Sequence, residues 1–450
     1  MKRFEELYFK AAVLFLGAFF FLAWGIAIGR YKVFPYTLLK PHYDKVIAYV
    51  KGHPEEETTI KEKIENDFGG VPERFLLPNN GFIPGYAQYK PASYRNGLFK
   101  SNRASPGFIS NTKFGYYLIY GVFEFSDARY GALLVDGSGR IVRNWTFEIT
   151  RPDAIDPGFG GFDKSTGTLF DNVSTTIQAQ DFCGKKLWTL SDVYSHHSIE
   201  PTGDGYIWNF DNLFFEKRRV DDGVLVERFS IFDLIEANPD LHVLEPRLKL
   251  DWKIKDLGKS KKAVMDFEEL PEIGLFDPFH FNDITPLTES LSKKFPAFRP
   301  GDLLISARSL NLVFIVRPST KKIIWYRFGL ISRQHDPDFS PDGKISVYDN
   351  RTHNDYSHIS ELDVETNKIS VLVDGKNFGW FNKGSGNHQI LDDSSIIFVD
   401  SFGRILHVDR EGKVIFSFLN SFDENRTLQL RNVWYLTDAD YRRLSEKCGS

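Results

Sequence analysis

From about residue 114 to residue 420 the chain alternates apolar and polar positions over short stretches. Turns rich in Asp, Gly, Asn and Lys separate these stretches, which is the pattern of consecutive antiparallel hairpins. Four segments superimpose on one another: HSIEPTGDGYIWNF from His197, HDPDFSPDGKISVYDN from His335, HQILDDSSIIFVDS from His388, and NDITPL from Asn282, resuming as GDLLISAR. Each runs from a polar residue through a short alternating stretch to a turn and then an apolar strand. A second hairpin follows every one, at 213–231, 311–328, 357–373 and 403–419, and two similar hairpins lie upstream at 131–145 and 176–190. Outer turns near 319, 365 and 411 are 46 residues apart, and those near 137 and 182 are 45 apart.

A period in the forties with four strands per repeat is that of a β-propeller blade. The spacing predicts an all-β, six-bladed β-propeller with blades at 114–147, 158–190, 197–231, 280–328, 335–373 and 388–419, seven blades being the alternative. The stretch 232–279 breaks the period and reads as an insertion between the third and fourth blades.

Upstream, residues 11–28 (AAVLFLGAFFFLAWGIAI) carry no charge and approach the length of a bilayer-spanning helix. Tyr8, Phe9, Tyr31, Lys10, Arg30 and Lys32 are placed to anchor its ends. Residues 1–32 are therefore expected to be a single-pass N-terminal transmembrane anchor, with a cleaved signal peptide as the alternative. Residues 33–113 are expected to form a lead-in containing a short helical stalk at 41–67, 114–425 the propeller, and 426–450 a C-terminal tail. Lysines and arginines on both sides of the span leave its orientation open, and the soluble domain is expected in the periplasm or outside the cell.

Composition supports a folded body: 42% of the 450 residues are hydrophobic and 15% aromatic, including 41 Phe, a bias towards pleated surfaces. A net charge of −4 and the lack of a basic patch argue against nucleic-acid binding. The two cysteines, Cys183 and Cys448, exclude a cysteine zinc module; they either bridge or stand as free thiols.

The repeat gives the histidines their meaning. Inner strands of a propeller line its channel, so equivalent positions in different blades converge on the axis. His197, Asn282, His335 and His388 occupy one such position, with His196 and His280 beside them and Arg308 at the end of the following strand. His42, His53, His242, His353, His358 and His407 fall outside the register and read as surface or structural residues. Neutral imidazoles are nucleophiles and proton carriers near pH 7, and Arg and Asn donate to the oxygens of a tetrahedral anion. Such a set suits sulfuryl or phosphoryl transfer. It also suits metal ligation or non-catalytic binding of a ligand or protein partner.

The pieces HHSIEPTGDGYIW, FHFNDI followed by ISAR, RQHDPDFSPDGKISVYDN, and GNHQIL with GRILHVDREGKVIFSF resemble the bacterial arylsulfate sulfotransferases over roughly residues 115–420. These are six-bladed propeller enzymes that dispense with the usual nucleotide sulfate donor. The resemblance implies ping-pong transfer from a phenolic sulfate ester to a phenolic acceptor through a sulfohistidine, with no metal or other cofactor. It assigns the nucleophile to His335, the grip on the sulfuryl oxygens to His280, Asn282 and Arg308, and proton transfer to His197. His196 and His388 are the further candidates for substrate contact. An insertion at 287–300, between the His280-Phe281-Asn282 motif and Arg308, can reshape the pocket.

Overall fold

A computed structural model describes residues 87–89, 107–110, 115–123, 130–147, 158–173, 176–191, 193, 195, 197–211, 213–244, 279–351, 354, 356–382, 384–420 and 426–449. They form a six-bladed β-propeller: six sheets of antiparallel strands, five of four strands and one of five, accompanied by a separate two-stranded ribbon. Blades two to five each take their strands from one continuous stretch of chain.

Blade one is assembled from both ends of the propeller. Its innermost strand is Leu430–Leu436, paired with Tyr116–Val122, which lies more than 300 residues earlier. The segment expected as a tail therefore closes the ring. The lead-in contributes as well: Gly107–Ser110 adds a fifth, outer strand to blade six, and Ala87–Tyr89 pairs with Arg426–Leu428. Neither contribution belongs to a hairpin of its own, so the repeat pattern could not display it.

Strand alternation explains how the blades stack. In Tyr116–Val122, Tyr117 and Ile119 face blade six, whereas Leu118 and Tyr120 face blade two. The same division recurs around the ring. Six apolar clusters of buried side chains result, one for each contact between neighbouring blades. Between blades three and four the cluster is rich in aromatic rings, with Phe281 stacked parallel to Phe210 and Phe279 at ring separations of 5.8 and 5.2 Å. Each buried Phe contributes about 1.5–3 kcal/mol by leaving water.

The first part of the 232–279 insertion is a helix, Ile231–Ala237, begun by a capping box between Ser230 and Asp233. The 287–300 segment joins the end of the inner strand Phe281–Pro286 to the second strand Leu303–Ala307. It holds the short helix Glu289–Ser292 and packs Phe295 and Phe298 between blades four and five. It thus leaves the inner strand at the end opposite its start, and its Thr288 lines a cavity together with Asp336 and His388.

A C-terminal helix, Asp438–Glu446, follows the closing strand at once and is capped by Thr437 and Asp440. Arg443 donates to the backbone carbonyls of Lys164 and Ser165 in blade two, and a disulfide ties Cys448 to Cys183 in an outer turn of the same blade. Their Cα atoms are 5.2 Å apart, inside the usual disulfide range. Among the described residues no helix is long and apolar enough to cross a membrane. The expected anchor at 11–28 and the stalk at 41–67 lie outside them.

Asp171 is buried between blades one and two. The Tyr120 hydroxyl donates to its Oδ1, and its Oδ2 has no hydrogen-bond partner among the described residues. Burial pushes its carboxyl up to about 8.

Two outcomes are expected. Cys448→Ser should lower the melting temperature by several degrees, because a bridge across 265 residues removes denatured-state freedom; such bridges contribute about 2–4 kcal/mol. Reductant should do the same to the wild-type protein and leave the variant's melting temperature unchanged. For Asp171, the unfolded carboxyl loses its proton near pH 4 and the folded one only near pH 8, so its share of stability is complete at low pH and falls as pH rises between them. Asp171→Asn, which keeps the acceptor for Tyr120, should raise the melting temperature at pH 8 and have little effect at pH 4, as read by calorimetry.

Candidate active site

Inner strands begin on one face of the ring, and several begin irregularly. In blade four the register slips between Phe281 and Asp283, so Asn282 is the extra residue of a β-bulge; blade five slips between His335 and Asp338. His280 and Asp336 hold positive φ of 49° and 50°, unfavourable for residues with a Cβ, and the backbone turns sharply at both places. Bulge and turn together send adjacent side chains in different directions, which delivers several polar groups to the axis from a few residues of chain.

Three of the expected histidines meet there. His197 Nε2 and His280 Nε2 are 2.9 Å apart, so one of the two donates to the other. The His197 ring is 4.8 Å from that of His280 and 5.9 Å from that of His335, centre to centre. Phe159 packs against His197 at 4.7 Å and carries the Arg431 guanidinium on its other ring contact at 4.7 Å. Arg308 follows the second strand of blade four, where its backbone N–H donates to the carbonyl of His280 at 3.0 Å.

His335 is almost completely buried. Its Nδ1 lies 2.7 Å from Asn350 Oδ1, while Nε2 has no hydrogen-bond partner among the described residues. Burial, and after it the positive charge of Arg308, hold its pKa well below the usual imidazole value, so the ring is neutral at pH 7. A neutral imidazole with an unengaged nitrogen can act as a nucleophile, and a guanidinium can balance the charge of an anion.

Asn282 reaches across to the next blade. Its Nδ2 donates to the carbonyl of Gln334 at 2.7 Å, and Gln334 Nε2 donates to Ser306 Oγ and to the Leu312 carbonyl, each at 3.0 Å. One amide hydrogen of Asn282 is therefore committed to holding the strand that carries His335. His196 lies outside the described residues.

His388 does not join the imidazoles. Asp336 Oδ2 lies 2.8 Å from its Nδ1, and Ser346 Oγ lies 2.8 Å from its Nε2, so both nitrogens are engaged. It lines a separate cavity of about 480 Å³ with Glu200, Asp336, Asp338 and Trp434, and none of His197, His280, Arg308 or His335 lines that cavity. The register equivalence with His335 is real, but the left-handed turn at Asp336 carries its carboxylate to His388 and fixes the ring there. Burial, compounded by repulsion among neighbouring carboxylates, pushes Glu200, Asp283 and Asp338 well above the usual carboxylate range. Among the described residues only Asp336, Asp338 and His388 bring three metal-ligating atoms within 4.8 Å of one another. Among the described residues His197, His280 and His335 belong to no such set, whereas His388 does.

Two residues that the sequence reading passed over support the site. Asn172 donates to Ser195 Oγ at 3.0 Å and to the backbone carbonyl of His197, and Asn350 contacts His335 directly. Both follow an aspartate at the end of a second strand, in FDN (170–172) and YDN (348–350). That recurrence was the available signal. His407, outside the register, is structural: Tyr117 Oη and Ser395 Oγ lie 2.8 Å from its two nitrogens.

No curated protein matches the chain. Among solved structures, a protein of unknown function from Bacteroides caccae is 11% identical, covering 72% of this chain and 99% of its own, at a TM-score of 0.47. Virginiamycin B lyase from Staphylococcus aureus is 11% identical over 60% of this chain and 72% of its own, at 0.35. BamB from Moraxella catarrhalis is 10% identical over 78% and 94%, at 0.33. The family model for arylsulfotransferase (ASST) matches residues 168–421, more than half of the chain. That stretch runs from the second blade to the sixth and takes in His197, His280, Asn282, Arg308 and His335, so the chain belongs to the arylsulfotransferase (ASST) family.

Proposed function

We propose that this protein moves a sulfuryl group from a phenolic sulfate ester to a phenolic acceptor, with His335 carrying the group between them. Family membership implies sulfotransferase activity in general; the finer reading rests on the buried, unengaged Nε2 of His335 beside Arg308. In the first half-reaction the Nε2 lone pair forms a nitrogen–sulfur bond as the sulfur–oxygen bond to the aryl group breaks. The leaving oxygen takes that bond's electron pair and receives a proton from the His197–His280 pair. In the second half an acceptor phenol returns a proton to that pair and attacks sulfur, and the nitrogen–sulfur bond gives its electrons back to Nε2. Arg308 offsets the charge on the sulfuryl oxygens, which are crowded in the transition state. No step calls for a metal or organic cofactor.

A disulfide supports placing the propeller in an oxidising compartment, and the apolar run at 11–28 would then serve to anchor or export it.

The test is release of a coloured phenol from an aryl sulfate, with a second phenol as acceptor. His335→Ala should reduce release by about three orders of magnitude or more. Wild-type protein quenched during turnover should carry an adduct of about 80 Da at His335, as covalent catalysis requires. Equal release by both proteins would overturn the assignment. Arg308→Ala should cost about 10²–10³ in kcat, the usual range for losing one group that stabilises developing charge. With the His335 pKa depressed, the reactive neutral ring persists below pH 6.5, so the acid limb of the rate profile should lie well below that of free imidazole.

A further inference from the structure

We infer that Asn350 is the positioning residue that holds His335 in the Nδ1–H tautomer and thereby leaves Nε2 as the reactive nitrogen. The inference rests on the reading of His335 as the nucleophile, but it can be tested apart from it.

The orientation of the Asn350 amide is fixed by its surroundings. Its Nδ2 donates to two backbone carbonyls, Asn382 O at 2.9 Å and Ser385 O at 2.8 Å. Carbonyl oxygens cannot donate, so the amide cannot be turned round without setting its oxygen against both of them. Oδ1 must then be the atom 2.7 Å from His335 Nδ1, and an amide oxygen only accepts. The proton of the neutral ring therefore sits on Nδ1, and the lone pair sits on Nε2.

A carboxamide differs here from a carboxylate. A carboxylate against Nδ1 would favour the imidazolium and raise its pKa, which suits a general base that must hold a proton. A nucleophile that must stay unprotonated is better served by a neutral acceptor, which selects the tautomer with less gain in basicity.

The connection between blades five and six holds the amide in place. Ser357 Oγ donates to the Asn350 carbonyl at 3.1 Å and accepts from Asn382 N–H at 2.9 Å. Trp380 Nε1 donates to Tyr348 Oη at 2.8 Å, and that hydroxyl donates to the Val399 carbonyl at 2.8 Å. All of these side chains are buried. The same connection passes close to the guanidinium: a Cβ placed on Gly384 would lie 3.4 Å from Arg308 Nη2. One connection thus sets both the nucleophile's tautomer and the space around its cationic neighbour.

The experiment is ¹⁵N NMR of the full chain labelled at histidine, with His335 assigned by the signal lost in His335→Ala. The wild-type spectrum should show His335 protonated at Nδ1 and unprotonated at Nε2. Asn350→Ala should shift the ring towards the other tautomer or a mixture and lower kcat for phenol release about tenfold or more, leaving KM near its original value. Asn350→Asp should move the acid limb of the rate profile to higher pH by about one unit or more. A wild-type ring protonated at Nε2 overturns the inference, and it does so without depending on the folding of any variant. An Asn350→Ala protein with an unchanged tautomer and unchanged kcat overturns it too. If the wild type shows the Nδ1–H ring yet turns over no aryl sulfate, the transfer reading fails and the positioning role stands.

Discussion

Antiparallel pairing of the first two strands in each blade is the constraint on which the site depends. It sets the start of the inner strand against the end of the second strand on the same face of the ring. His335 lies opposite Tyr348, Phe281 opposite Ala307 and His388 opposite Phe398. Residues just beyond these pairs therefore meet at the mouth of the channel, however far apart they lie in sequence. Arg308 and Asn350 arrive from second-strand ends, and His197, His280 and His335 from inner-strand starts. The proposed chemistry divides along that line: the inner strands supply the imidazoles, and the second strands supply the groups that orient and charge-balance them.

The channel is not uniform along its length. Imidazoles and a guanidinium gather at the strand starts, whereas Glu200, Asp283 and Asp338 crowd together further along the same strands. These carboxylates are buried and lie close enough to raise one another's pKa. His388, by register a member of the first group, belongs by its bonds to the second.

Much of this was legible in the sequence because a propeller repeats its instructions. The hairpin spacing gave six blades, and the polar residue opening each repeat pointed to the axis. What stayed hidden has physical causes. The closing strand, LRNVWYL, has no neighbouring partner in sequence, so no hairpin signals it. Asn172 and Asn350 fall outside the inner-strand register that singles out the histidines, and their shared place after an aspartate is the one pattern that links them. The fate of His388 depended on a left-handed turn at Asp336, a conformation uncommon outside glycine and one that the strand pattern does not signal. Register assigns a residue to a strand position, but bulges and turns decide where its side chain goes.

Because blade one borrows its inner strand from Leu430–Leu436, the order of synthesis bears on how the ring is made. Tyr116–Val122 leaves the ribosome early and has no partner on its inner edge until about 300 further residues have followed. At about 5–20 residues per second, that edge waits for about 15–60 s. Blades two to five can form in the meantime from local hairpins, but the last contact is among the least local in the chain, a class of pairing that forms slowly. An open strand edge with buried-type residues such as Tyr117 and Ile119 invites pairing with other chains. Chaperone protection of the nascent chain would matter most during that interval, before any axial site exists.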